Sequence, residues 1–415
     1  MTGAVSDPGG GLTRIPRDVH DDYSAAACAV RRELCESAAG RSLPYLAGEP
    51  VPLAEARGKI ENLVGYAQVP LGIAGPLCVD TTAGLREVLV PMATTEGAMV
   101  ASYSRGMRLF AEAGGVRARV LKRGLSQHPI LVFESARDAV RAGEVVAASV
   151  DELERITAGT TSHGRLTSVS TQVIGRRLVL RLLFETGDAI GINMAARAAD
   201  LCSEAMAERT GALARYVHGQ DVEKRANARA LVEGRGRSTV AEVKIPRDVL
   251  ARIVRTTPEA LAAIARTYAV GFAQLGTQNW LVQAANGLAA VYLACGQDVA
   301  YVTESATGFL DIEVTADGDL HAAATLPSIL VGTVGGGSGQ GTARECLALL
   351  GCEGAGHADT FAEILAATVL AGDLSLLAAF CTHEFVGAHE RLGRNRPDAP
   401  ISPAAHVSGG EEPRP

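Results

Sequence analysis

Four residues carry the chemistry this sequence offers: Glu96 in "ATTEGAMV", Lys224 in "QDVEKRANAR", Asp298 in "ACGQDVAY" and His389 in "VGAHERLGRNR". Lys224 is one of four lysines in a chain with thirty-five arginines. Arginine keeps its proton and presents a broad planar fork, whereas lysine is a compact donor whose proton affinity can be tuned. A chain so biased toward arginine keeps lysine where a point donor fits an oxyanion. The competing reading is a solvated face, the usual meaning of alternating charges. Glu96 reads as first-turn helix, where the dipole favours a carboxylate; among apolar neighbours it could instead serve as a general acid. Asp298 follows an apolar helix and reads as half buried, a helix-end or salt-bridge residue by default. His389, near Arg391, Arg394 and Arg396, is by itself a surface histidine. None of the four decides a function alone.

The elements that must hold them are partly legible. A helix is expected from Asp22 to about Ala39. Another starts at Thr94-Thr95-Glu96, with Met99, Tyr103, Met107 and Phe110 at helical spacing and Gly114-Gly115 at its end. Its small residues suit a helix enclosed on most sides. Between these helices, "ENLVGYAQVPLGIAGPLCVD" is broken by Gly and Pro and reads as turns. From Pro129 the order is strand, one helix over "ARDAVRAGEVVAASVDELERI", a hairpin of "LTSVSTQVIG" and "RRLVLRLLFET", a helix and a closing strand, the β-α-β-β-α-β pattern of ferredoxin-like units. Helices dominate after Arg247, ending in a long one from about Thr360 to Thr382. "ETGDAIGINM" joins strand to helix through Gly187 and Gly191, where backbone N–H groups could hold a phosphate; an ordinary turn is an equal reading.

A chain of 415 residues exceeds what one growing core accommodates. The expected fold class is α+β, a large mixed domain around a central helix with an inserted ferredoxin-like small domain. The expected divisions are 1–12 disordered, 13–127 with 219–396 as the large domain, 128–218 as the small one, and 397–415 a disordered tail. The formal charge of -7 and the absence of a basic stripe argue against nucleic-acid binding. Eight scattered cysteines without a CxxC pair suggest neither zinc nor disulfides. No run of about 18 apolar residues and no signal-peptide core is visible, so a soluble cytoplasmic protein is expected.

Taken together, "ENLVGYAQVPLGIAGPL", "VPMATTEGAMVASYSRG", "GDAIGINM", "EGRGRSTVAE", "ACGQD", "LPSILVGTVGGG" and "AHERLGRNR" resemble 3-hydroxy-3-methylglutaryl-coenzyme A (HMG-CoA) reductases over roughly residues 14–396. "TTEG" resembles the first class of that family, which generally uses NADPH. The resemblance implies NADPH-dependent reduction of HMG-CoA to mevalonate with two hydrides. It implies Lys224 as donor to the carbonyl oxygen, Glu96 as proton source, Asp298 as the group linking them, and His389 as the acid that protonates the departing thiolate. It places the dinucleotide at Asp188, Ala189, Ile190, Gly191, Asn193 and Met194, with Arg394 near a phosphate. It also implies a homodimer or larger assembly with sites shared between subunits, and no metal.

Around the acyl group the resemblance breaks. The family's Asp-Lys-Lys-Pro is Glu223, Lys224, Arg225 and Ala226; an arginine that helps hold the substrate is Gln127; a histidine three residues before Asn286 is Gln283; an asparagine is Ala230 and a serine Val217. Gln127, Glu223, Arg225, Gln283 and Asn286 are therefore the expected substrate-binding positions. A relative that reduces another acyl thioester, or a non-catalytic homologue, stays open beside the leading reading.

Overall fold

The computed structural model describes residues 14–382 except 19 and 221. The expected disordered ends lie outside this range, as do His389 and Arg394.

Ten strands are described. β1 (Leu71–Thr81), β2 (Gly84–Ala93), β3 (Val116–Gln127), β4 (Ile130–Val132), β5 (Arg165–Ile174), β6 (Arg177–Glu185), β7 (Ala214–Tyr216), β8 (Gly236–Ile245), β9 (Phe309–Val314) and β10 (Leu320–Ile329) follow in chain order. One set runs β2-β1-β3-β8-β10-β9, antiparallel except for the short β1/β3 pairing. The second runs β7-β4-β6-β5, all antiparallel. β3 belongs to both: Val120 pairs with Thr239 of β8, and Leu125 further along with Phe184 of β6. Residues 130–216 thus have the α+β ferredoxin-like strand order, joined to the larger sheet through one continuous strand.

Three expectations change. "LGIAGPLCVDT" is not turns but β1, its pairing shifted between Ala74 and Leu77 so that Pro76 falls where the ladder is interrupted. The helix after β4 is two, Ala136–Ala147 and Val150–Ala158. They part at Ser149, whose hydroxyl donates to the Val145 carbonyl and accepts from Arg209. Beyond Arg247 the hairpin β9–β10 lies among the helices.

The most deeply enclosed, central helix is Ala358–Cys381, and Met99–Glu112 after Glu96 packs on it, enclosed on most sides with only Arg108 and Glu112 exposed. Ala358–Cys381 buries twenty of its 24 residues, and although long and apolar enough to cross a membrane, it lies inside the protein. Small residues allow the approach. A Cβ on Gly106 of the Met99–Glu112 helix would sit 1.9 Å from the Ala371 carbonyl oxygen, and one on Gly372 would strike the Tyr103 ring. Two buried carboxylates pin this helix to its surroundings. Glu363 accepts from Thr82 N and Val120 N at 2.8 and 3.0 Å, and Asp373 from Val282 N and Gln283 N at 2.9 and 2.8 Å. These bonds pair N–H groups of the β1–β2 turn, of β3 where its register shifts, and of the loop before the Ala284–Ala294 helix.

Candidate active site

Lys224 precedes the short helix Ala228–Glu233, which Asn227 caps through Ala230 N at 2.9 Å. Its backbone is left-handed (φ 56), unusual for a residue with a Cβ. The Lys224 N–H donates to Glu304 Oε1 at 2.5 Å. Glu304 is fully buried and faces the equally buried Arg235, whose Nη1 lies 3.1 and 3.0 Å from its two carboxylate oxygens. Burial pushes the Glu304 carboxyl up, opposed by Arg235 and the Lys224 N–H. Arg235 enters this interior because Gly234 and Gly236, both at positive φ, lie where a Cβ would meet the carbonyl oxygens of Pro327 and Ile329 at 2.7 and 2.5 Å.

The ammonium of Lys224 stands 2.8 Å from Asp298 Oδ2, with both side chains nearly half exposed. Asp298 does cap a helical turn, as the ordinary reading had it: its Oδ1 accepts from Ala300 N at 3.0 Å. Tyr301 closes that turn with its ring centroid 5.0 Å from Lys224 Nζ. Glu223 accepts from Arg235 Nη2 at 3.1 Å and Gln127 Nε2 at 3.0 Å, and more distantly from the Tyr301 hydroxyl at 3.4 Å. Arg225 Nη1 turns back to the Glu223 carbonyl at 3.3 Å. Lys224, Arg225 and Asp298 thus lie at the surface, with the partly buried Glu223 and the buried, neutral Gln127 beside them, over a buried ion pair.

Glu96 lies elsewhere than expected. Ala98 adopts φ 69 and delays the helix to Met99, so Glu96 sits exposed in the connecting loop, its N–H on Thr94 Oγ1 at 3.0 Å. Among the described residues no hydrogen bond or ion pair joins its carboxylate to Lys224 or Asp298. Asn286 is exposed in the first turn of the Ala284–Ala294 helix, while Gln283 is buried and turns its amide onto the Gly372 carbonyl. His128, beside Gln127, is buried; burial, then Arg229, Arg181 and Arg235, push it down to about 3, so it is neutral.

At the start of the Ile192–Thr210 helix, Gly191 at φ 81 leaves the first turn without a side-chain cap. A cavity of about 240 Å³ adjoins this turn, walled by Thr186, Gly187, Asp188 and Ile190 with Arg123 and Arg237. The Asp188 carboxylate accepts from Gly356 N and Ala358 N at 2.8 and 3.2 Å, and so anchors the turn to the central helix. Ala189 accepts from Thr186 Oγ1, Asn193 is exposed, and Met194 lies against Gly164. Arg123 and Arg237 are both ion-paired with Asp359, which lines the same cavity with Glu185 and Asp188, so it is the uncapped N–H groups of the helix start that suit the anionic part of a dinucleotide.

The sequence model for hydroxymethylglutaryl-coenzyme A reductase matches residues 27–394. The chain belongs to this family. It is 38% identical over 396 residues to the HMG-CoA reductase of Pyrococcus abyssi, covering 92% of this chain and 96% of that one. To the enzyme of Haloferax volcanii it is 41% identical over 387 residues, covering 91% and 95%. A class II HMG-CoA reductase of Streptococcus pneumoniae, solved bound to NADPH, superposes with a TM-score of 0.70 at 21% identity over 85% of this chain and 96% of that one. At that identity the likeness concerns the fold. Arg235, Tyr301 and Glu304 complete the site without standing out in the sequence. Only the glycines flanking Arg235 signalled that an arginine there is led inward.

Proposed function

We propose that this chain is a reductase of the family's first class in which Lys224, Asp298, Glu96 and His389 carry the reaction. The class reading rests on Thr94-Thr95-Glu96-Gly97. The chain is an NADPH-dependent oxidoreductase that reduces HMG-CoA to mevalonate and coenzyme A. When bound, NADPH supplies the hydrides.

Lys224 donates to the thioester oxygen as it gains charge, and Asp298 orients the ammonium from 2.8 Å. Glu96 delivers protons to that oxygen. His389 protonates the departing thiolate, a downhill transfer because an imidazolium titrates near ~6.5 and a thiol near ~8.5. Gln127, Glu223, Arg225, Gln283 and Asn286 surround the acyl group. Asp188, Ala189, Ile190, Gly191, Asn193, Met194 and Arg394 hold the dinucleotide on a unit of residues 128–218, with 13–127 and 219–396 forming the large domain.

A soluble, cytoplasmic homodimer accompanies this reading. Its support is apolar surface beyond the core: Val270 and Leu275 on the Pro258–Leu275 helix, and Ile60, Val64 and Tyr66, are well exposed. Sedimentation should then give twice the chain mass.

The observation that carries the function is the Lys224–Asp298 contact in a chain matched to the family across 27–394. Purified protein given HMG-CoA and NADPH should release mevalonate and coenzyme A with two NADPH consumed per mevalonate. No mevalonate from folded protein, under conditions where a control reductase works, would sink the reading.

A further inference from the structure

We infer that Tyr301 is a positioning residue for the reaction, acting through its ring on the Lys224 ammonium and through its hydroxyl on the Glu223 carboxylate. This rests on the reading of Lys224 as the oxyanion donor.

Asp298, Tyr301 and Glu304 recur every three residues through a 3-10 turn (Val299–Tyr301) and a short helix (Val302–Ser305). In 3-10 geometry residues three apart eclipse one another, so such spacing aligns side chains in a row. Each member of this row meets residue 223 or 224 differently. Asp298 takes the ammonium at 2.8 Å, Glu304 takes the Lys224 N–H at 2.5 Å, and Tyr301 puts its ring 5.0 Å from Nζ and its hydroxyl 3.4 Å from Glu223 Oε2. Tyr301 is only 4% exposed, so its ring is a fixed wall rather than a swinging side chain.

The consequence concerns donor direction. A lysine ammonium has three N–H donors on a flexible stem. With Asp298 holding one and an aromatic face shielding another side from water, the remaining direction is kept for a substrate oxygen. The ring attracts the cation through its negative face, so its contribution depends on electron density and not on bulk alone. The hydroxyl acts separately, steadying a carboxylate that Arg235 and Gln127 also hold.

These roles separate by substitution. Tyr301→Phe keeps the ring, so kcat should stay within about twofold, while KM for the thioester rises by roughly 3–10-fold for the lost hydrogen bond. Tyr301→Leu removes the ring, and kcat should fall by roughly 3–30-fold. A phenylalanine carrying successive fluorines at the same position keeps the ring shape while draining its face, and kcat should fall stepwise with each fluorine. That series stands even where Tyr301→Leu folds poorly. Equal kcat across the fluorinated series, or a Tyr301→Phe loss in kcat as large as that of Tyr301→Leu, would overturn the inference. Lys224→Ala is the control. Wild-type turnover in Lys224→Ala defeats the underlying reading of the lysine, whereas an inactive Lys224→Ala with an indifferent Tyr301 defeats this inference alone.

Discussion

Lys224 Nζ and Asp298 Oδ2 stand 2.8 Å apart at the protein surface, each side chain nearly half exposed. Exposed ion pairs contribute only ~0–1 kcal/mol to stability. The fold therefore gains little from this contact, and its geometry is better understood as orientation of a donor.

Lys224→Ala and Asp298→Asn should accordingly separate activity from stability. Loss of a preorganised oxyanion donor costs about 10²–10³ in kcat, and Asp298→Asn, which keeps the shape but not the charge, should cost less. Melting temperature should move little in either variant. A large fall in thermal stability with proportionate loss of activity would mean that the pair is structural.

The opposite pattern is expected one layer down. Arg235 and Glu304 are 2% and 0% exposed, so removing Glu304 takes away the fully buried one of the two carboxylates on Arg235 and leaves the guanidinium to Glu223. Glu304→Ala should destabilise the protein by about 3–5 kcal/mol and release the Lys224 N–H. Replacing both residues by apolar ones of similar volume should recover much of the stability but not the activity. Urea unfolding of the single and double variants, with kcat measured on each, tests both statements.

Close packing of the central helix gives a third expectation. Gly106→Ala would place a methyl 1.9 Å from the Ala371 carbonyl oxygen, and backbone, unlike a flexible side chain, cannot step aside. Overpacking of this kind costs typically ~1–3 kcal/mol and more against backbone. The variant should melt well below the wild type or fail to accumulate in soluble form; an unchanged melting temperature would show that the two helices have room to separate.

How much of this could be read in the sequence depended on range. The Ala358–Cys381 helix was legible within two residues because no proline breaks its largely apolar sequence, and the β5–β6 hairpin because Gly175 and Arg176 separate two alternating segments. The start of the helix after Glu96 was not. Nothing in an alanine announces the left-handed backbone of Ala98 that moves Glu96 out of the helix. Nor was the layer beneath the site: a charged residue is mostly exposed, and that Glu304 is buried depends on Arg235, 69 residues away, being folded against it. Lys224 stands out by its rarity among arginines and by the resemblance around it, but the row of Asp298, Tyr301 and Glu304 that holds it depends on the helical turn after Asp298, which the sequence does not announce.

Asp373 supplies a pH dependence. Fully buried in the central helix, it is lifted by burial from 3.8 to about 7, against the N–H groups of Gln283 and Val282 that favour the charge. Because the folded value lies above the unfolded one, the native state holds the proton more tightly. Its contribution to stability is fully present below about pH 4, declines as pH rises toward 7, and changes no further above that. The slope can reach about 1.36 kcal/mol per pH unit. Asp373→Asn does not titrate, so wild type should lose ground to the variant between pH 4 and 7, while every other group cancels in the comparison. Urea unfolding of both proteins across that range measures the difference directly. A difference that stays flat, or that moves in favour of the wild type, would mean that the two backbone N–H groups hold Asp373 ionised throughout, and that the start of the Ala284–Ala294 helix is anchored by a permanent charge.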